Sequence, residues 1–194
     1  VYNRGIARKL KEYPDRLLGA GILPMDRPSE MVREIDKIQD LGLKGLSVAS
    51  SHEGMYLDAD SFLPVWEKAE KENLPIFVHS QTINPIGFDR VKDPLLMPVV
   101  EYLFDITMCA GAMMMGGVFN RHKGLKVVFA HFAGVVPFLA DRFDSTYSML
   151  RSREMVKDLG SLPSKILKNV FVDISGVKSL SLLNMALEFF GPRR

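Results

Sequence analysis

An α/β fold built on a parallel sheet is predicted for this 194-residue chain, and three observations predict it. Helix-like and strand-like segments alternate along the whole length, the pattern of repeated βα units. The strand-like runs are short, apolar, rich in β-branched and aromatic residues and bounded by turn formers, as strands buried in a parallel sheet are. Two of them, LPIFVH at 74–79 and LKVVFAH at 125–131, end in histidine. Ligands gather at the carboxyl ends of parallel strands. Two of the chain's 4 histidines therefore stand where a metal or acid–base site belongs.

The elements follow in order. Residues 4–13 read as the end of a charged helix stopped by Pro14, and 16–24 as a strand. Ser29 is placed to cap a helix whose apolar positions Val32, Ile35, Ile38 and Leu41 recur at helical spacing, with Gly42 ending it. Strand 44–49 is followed by a loop and a helix over 61–73 with Phe62, Val65, Trp66 and Ala69 on one face. Strand 75–79, a long loop and a helix over 97–119 come next. Strand 126–131 precedes a helix over 136–150 with Pro137 in its first turn. A polar stretch leads to strand 170–174 and a last helix over 179–190. Five strands and six helices fit either a doubly wound sheet or part of a (β/α)8 barrel, and periodicity does not choose between them. No glycine-rich phosphate loop follows any strand, which argues against a nucleotide-binding sheet.

The totals narrow the function classes. One domain over residues 1–194 is expected. The net charge of +2 gives no reason to propose a nucleic acid or an acidic membrane surface as partner. The uncharged stretch Ile106 to Asn120 is too short to span a bilayer. Cys109 has no second cysteine to pair with, and its apolar neighbours predict burial. With no signal-peptide pattern at the start, a reducing cytoplasm is the expected location. The methionine-rich run Met108 to Met115 reads as helix packing, with small residues allowing close approach.

Four segments, PDRLLGAGILP (14–24), LGLKGLSVASSHEGMYLDADSFLPVWEKAEKENLPIFVHS (41–80), LKVVFAHFAGVVPFLADRFD (125–144) and NVFVDISG (169–176), together resemble the amidohydrolase-related family. The nearest branch is the aminocarboxymuconate-semialdehyde decarboxylase group. The resemblance runs across almost the whole chain in the right order. It implies a metal-dependent (β/α)8 TIM barrel of the metal-dependent hydrolase type, of which the strands here are the third to seventh. The first-strand metal motif and the eighth-strand aspartate are missing from these residues, so the barrel is read as incomplete, without strands one, two and eight.

The same resemblance assigns roles. His79 falls on the fifth-strand metal ligand, and imidazole is a common donor to zinc. His131 falls on the sixth-strand histidine that acts on substrate or water, in keeping with an imidazole's capacity for proton exchange near neutral pH. The family more often has glycines after this histidine, where this chain has Phe132 and Ala133. Arg142 matches an arginine offered to a substrate carboxylate, in some members across a dimer interface; the alternative is a helix arginine paired with Asp141 or Asp144. His52, in the loop after strand 44–49, is a candidate pocket residue. His122, beside Arg121 and Lys123, reads as surface. Asp173 is expected to bond Ser175 and the following turn, or to support the metal site.

These readings lead to a metal-dependent enzyme, non-oxidative decarboxylation of an aromatic or unsaturated carboxylic acid being the first choice. The implied cofactor is a divalent ion, zinc first and manganese second. The implied partners are a small-molecule carboxylate substrate and further copies of the chain in a homo-oligomer. A hydrolase or hydratase on the same barrel and a non-catalytic barrel remnant are the competing readings.

Overall fold

A computed structural model describes residues 1–90 and 92–194. Helix α1 (Tyr2–Glu12) leads to β1 (Ala20–Ile22), α2 (Pro28–Asp40) and β2 (Gly45–Ala49). A short hairpin, β3 (Ser51–His52) and β4 (Met55–Tyr56), precedes a 3₁₀ turn, α3 (Leu63–Lys71) and β5 (Ile76–His79). A π-helical turn at Met97–Glu101 runs into α4 (Tyr102–Met115), then α5 (Val118–Arg121) and β6 (Val127–Phe129). The chain closes with α6 (Val136–Ser152), α7 (Pro163–Leu167), β7 (Phe171–Val172) and α8 (Leu180–Phe190).

The main sheet has the order β1-β2-β5-β6-β7, and every pair in it is parallel. Successive strand–helix units thus lie side by side in chain order, as neighbouring βα units do. β1 and β7 are its two edges, so the sheet is open, as expected for an incomplete barrel. Its faces differ sharply. On one, Leu46, Val48, Ile76, Val78, Val127 and Phe129 are buried in the core. On the other, Ile22, Ser47, Phe77, Val128 and Phe171 form a row in register. Ile22 and Phe77 in that row remain 48% and 43% exposed. Apolar side chains left open on this face mark the side on which a closed barrel packs its interior layers.

The expected face of α3 is seen, and on α2 Ile35 and Ile38 are buried together with Met31 while Val32 and Leu41 are half-buried. Phe62, Val65, Trp66 and Ala69 are all fully buried, and Trp66 Nε1 donates to the Leu57 carbonyl at 2.8 Å. At β1 the absence of a side chain on Gly21 is what lets α2 close on the strand: a Cβ there would stand 2.5 Å from Ile38 Cγ1. The edge of β1 is met by Asn3 of α1, whose side chain accepts from Ile22 N at 2.8 Å and donates to Ile22 O at 3.0 Å.

Several local expectations are corrected. Ser29 does not cap α2; Pro28 begins the helix, its fixed φ suiting the first turn, and no side-chain cap bond forms. The loop after β2 contains the hairpin, turned by Glu53 and Gly54, both at positive φ (48° and 81°) as a two-residue I′ turn requires. The single helix expected over 97–119 is broken at Gly116–Gly117, the latter at φ 76°. Met113 and Met114 of the methionine run are buried while Met108 is 46% exposed. The strand expected to reach residue 131 stops at Phe129. Helix α7, inside the segment read as merely polar, is held by Asp144, which accepts from Ser164 N at 2.8 Å and Ser164 Oγ at 2.6 Å. The helical stretch Met97–Met115 is long and apolar enough to cross a bilayer by length and composition. Here it is the core helix of the sheet: Ile106, Cys109, Ala110 and Met113 are fully buried in it.

Candidate active site

The carboxyl end of the sheet brings His79 and His131 together. Their ring centroids are 5.3 Å apart and their planes cross at 74°. The two come from neighbouring strands, β5 and β6, paired in register from Ile76–Val127 to Val78–Phe129. His79 ends β5 on the same open face as Phe77 and is exposed. Its Nδ1 lies 3.2 Å from the Ser80 carbonyl and 3.3 Å from Ser80 Oγ. A carbonyl only accepts, so this contact calls for Nδ1–H and leaves Nε2 as the free donor atom of the ring.

His131 is held differently. It lies two residues beyond β6, in a left-handed turn where His131, Phe132, Ala133 and Gly134 have φ of 54°, 57°, 58° and 68°. Each non-glycine residue in that region costs about 1–2 kcal/mol, and such strain persists only where the surroundings enforce it. Here Phe132 and Ala133 are buried, Phe132 N donates to the Asp173 carbonyl at 3.1 Å, and Gly134 N donates to the His131 carbonyl at 2.9 Å. Gly134 is irreplaceable in this arrangement: a Cβ on it would stand 2.1 Å from the Leu103 carbonyl oxygen and 2.4 Å from Thr107 Oγ1.

Asp173, just past β7, anchors the same turn. Its Oδ1 accepts from His131 N at 2.8 Å, Ser175 N at 3.0 Å and Ser175 Oγ at 2.5 Å. Partial burial pushes the Asp173 carboxyl up, but the bonds from Ser175 and His131 and the nearby His131 charge outweigh it. The carboxyl is held below its ordinary value. The expected bond from Asp173 into Ser175 is present, and it extends to His131.

A second carboxylate, unremarked in the sequence, secures the strand ends on the His79 side. Asp105 of α4 is 1% exposed. Its Oδ2 takes Ser50 Oγ and, at 3.1 Å, Gln81 N, while its Oδ1 takes Ile86 N at 3.3 Å and Tyr56 Oη at 3.5 Å. Ser50 N in turn donates to the His79 carbonyl at 2.7 Å. Burial, with the Asp105 charge behind it, pushes the Tyr56 hydroxyl up to about 12. Burial likewise pushes the Cys109 thiol far up, so this buried sulfur stays protonated and unreactive. The sequence signal for Asp105 is a carboxylate inside an otherwise apolar helix.

The remaining candidates are not brought to the pair by any hydrogen bond or ion pair among the described residues. His52 lies in β3, half-buried. Arg142 is exposed on α6, lining an apolar groove of about 620 Å³ between α4 and α6 with Phe104, Met108, Leu139 and Phe143. It is not paired with Asp144, which is engaged by Ser164. His122 is corrected: its side chain is only 13% exposed and its Nδ1 sits 3.0 Å from Glu70 Oε2. As for a metal, among the described residues no group of three or more His, Cys, Asp or Glu side chains is placed to hold an ion. His79 has the donor chemistry of one ligand.

Comparison with known proteins extends the picture. The chain is 33% identical over 147 residues to 2-amino-3-carboxymuconate-6-semialdehyde decarboxylase of Dictyostelium discoideum, matching 75% of this chain and 40% of that protein. It is 29% identical over 153 residues to gamma-resorcylate decarboxylase of Rhizobium radiobacter, matching 73% of this chain and 46% of that protein. The chain thus spans about half the length of these relatives. Among solved structures, 5-carboxyvanillate decarboxylase from Sphingomonas paucimobilis superposes with a TM-score of 0.89 at 27% identity, covering 98% of this chain and 58% of that one. The 5-carboxyvanillate decarboxylase of Novosphingobium aromaticivorans, complexed with manganese and 4-hydroxy-3-methoxy-5-nitrobenzoic acid, superposes with a TM-score of 0.84 at 26% identity, covering 98% and 56% of the two chains. The sequence model of the Amidohydrolase family matches residues 1–194. An open parallel sheet with paired histidines at its carboxyl end, a superposition over nearly its whole length and a family match throughout lead to one conclusion: the chain belongs to the Amidohydrolase family.

Proposed function

We propose that this chain carries the fifth- and sixth-strand part of a metal-dependent active site that removes CO2, without oxidation, from an aromatic or unsaturated carboxylic acid. The observation that carries the reading is the convergence of His79 and His131, at 5.3 Å between ring centroids, on a fold whose relatives are decarboxylases. Residues 1–194 act as one domain, since a single core cluster runs from Leu23 to Phe190.

His79, with Nδ1 turned to the Ser80 carbonyl, fits one ligand position of a divalent ion through Nε2; among the described residues it is not part of a group of three or more such donors. An ion held there would supply positive charge and Lewis acidity toward an anionic substrate. Zinc is the ion an imidazole donor suggests, and manganese is the one bound in the Novosphingobium aromaticivorans enzyme. His131 handles the proton. In its protonated form it gives a proton to the carbon that bears the carboxylate. The bond from that carbon to the carboxyl group breaks, its electron pair returns to the unsaturated system and CO2 leaves. His131 is left neutral and regains its proton from solvent. Arg142 and His52 are proposed to meet the substrate, Arg142 pairing with a carboxylate from the far side of α6 or across a contact between copies in a homo-oligomer. A cytoplasmic location belongs to the same proposal.

The test is CO2 release from a panel of hydroxylated aromatic acids and muconate-type acids by the full-length protein, loaded with zinc or with manganese. His79→Ala is expected to lose bound metal. His131→Ala is expected to keep it while turnover falls about 10²-fold or more, the usual scale for losing a general acid–base group. Normal metal content in His79→Ala, or unchanged turnover in His131→Ala, overturns the corresponding role. Hydrolysis without CO2 release replaces the decarboxylase reading by that of a hydrolase.

A further inference from the structure

The contacts around His131 decide which of its nitrogens works. Nδ1 has two neighbours, both from residue 175: Ser175 Oγ at 2.8 Å and the Ser175 carbonyl at 3.3 Å. The carbonyl only accepts, so it calls for a proton on Nδ1. The hydroxyl can give or take, and its direction is set by a third group. Ser175 Oγ lies 2.5 Å from Asp173 Oδ1, a short bond of the charge-assisted kind. With its proton committed to the carboxylate, the hydroxyl turns a lone pair to Nδ1–H. Asp173 Oδ1 is itself fixed by the backbone N–H groups of His131 and Ser175 at 2.8 Å and 3.0 Å. An oxygen that takes three donors stays ionised, and the acceptor at the head of the chain therefore keeps its sign.

We infer that Asp173 and Ser175 are positioning residues: they lock His131 in the Nδ1–H tautomer and reserve Nε2 as the nitrogen that exchanges the proton with the ligand. The inference rests on the proton-transfer role proposed for His131 above. It gives Asp173 a task apart from supporting the metal. The carboxylate acts on the sixth-strand histidine through a hydroxyl. It also ties the left-handed turn to β7, because the Asp173 carbonyl receives Phe132 N. In each turnover the imidazolium carries protons on both nitrogens: the one on Nδ1 stays directed at Ser175, the one on Nε2 passes to the substrate carbon, and Nε2 is the nitrogen that solvent reprotonates.

The test is a long-range proton–nitrogen NMR correlation on the full-length, ¹⁵N-histidine-labelled protein, with His131→Gln assigning the resonances. In the neutral form of the ring the wild type is expected to show Nδ1 protonated and Nε2 bare. Ser175→Ala and Asp173→Asn are expected to show a mixture of tautomers, with kcat lowered about 10–100-fold, the scale for losing an outer partner of a site histidine, and KM nearly unchanged. Ser175→Thr, which keeps the hydroxyl, should restore both the tautomer and the rate. Where Asp173→Asn fails to fold, Ser175→Ala gives the reading alone, since it leaves the backbone bonds to Asp173 in place. A wild-type His131 protonated on Nε2, or a tautomer ratio unmoved by the variants, overturns the inference. A shifted tautomer with unchanged kcat supports the relay and overturns the proton-transfer role of His131 instead.

Discussion

His79 and His131 stand at equivalent ends of adjacent strands, yet the chain holds them in opposite ways. His79 finishes β5 in regular strand geometry, and its ring is oriented by its own sequence neighbour, Ser80. The support beneath it is backbone and core: Ser50 N on the His79 carbonyl, and Asp105 clipping Ser50 and Gln81 together. His131 stands outside its strand in a left-handed turn, and its partners lie more than forty residues away on the β7 side. Under the roles proposed above, both rings need one nitrogen protonated and the other bare. For His79 a regular strand end and its own neighbour Ser80 supply the partner, while for His131 long-range contacts supply it on a strained backbone.

The contrast can be broken most severely at Gly134. Gly134→Ala places a methyl against the Leu103 carbonyl and Thr107 Oγ1, at φ 68°. The overpacking and left-handed strain should together cost about 3 kcal/mol or more of stability in urea unfolding. A variant as stable as wild type would show that the turn is not enforced by α4. On the His79 side the largest expected effect is smaller. All four groups that meet the Asp105 carboxylate are donors. Asp105→Asn turns one acceptor into a donor and leaves buried N–H or O–H groups unmet, at about 1–3 kcal/mol. The Tyr56 hydroxyl, now pushed up to about 12, should move back toward its ordinary 10.0 without the Asp105 charge, as followed by ultraviolet titration.

Acid should separate the two sites next. The Asp173 carboxyl is depressed in the folded protein, so its bonds contribute at pH above the unfolded value of about 3.9 and are lost as pH falls through the lower folded value. The stability difference between wild type and Asp173→Asn should therefore hold from neutral pH to about 5 and close in stronger acid. A difference that persists unchanged at low pH would mean the charge on Asp173 is not what matters. The smallest effect belongs to Ser80→Ala. The ring of His79 keeps its bond to the Ser80 carbonyl, and the hydroxyl is 3.3 Å away, so stability should fall by only about 0.5–1 kcal/mol, the low end for a single hydrogen bond. Metal content should also be unaltered. A loss of metal in Ser80→Ala would erase the contrast, making both histidines dependent on a side-chain hydroxyl.

Two further features sharpen what the sequence conveys. Glu101 is buried, and neither of its carboxylate oxygens has a partner among the described residues; nothing in its surroundings accounts for it. His122 read as a surface residue because its neighbours in sequence are basic, but the carboxylate that covers it comes from Glu70, far back in the chain. For His122 the deciding neighbour is remote, and no local pattern announces it.

The sequence by itself determined the alternation of strands and helices, the buried faces of α2 and α3, the stop at Gly42 and the two histidines at the ends of β5 and β6. These depend on side-chain period, turn chemistry and strand-end position, which are local properties of a chain. Through its resemblance to the family it also indicated that the five strands are a run from within a barrel. Tertiary structure alone decided the rest. It shortened β6 and set His131 in a left-handed turn, although three of that turn's four residues, His131, Phe132 and Ala133, are not glycine. It brought Asp173 and Ser175 to the imidazole, made Asp105 the clip of the strand ends, and kept Arg142 on the outer groove. Hydrogen bonds between polar groups forty or more residues apart leave no periodic trace. They exist only once the sheet has set which strand ends are neighbours, and the energy of the packed core is what holds three residues at positive φ to make them.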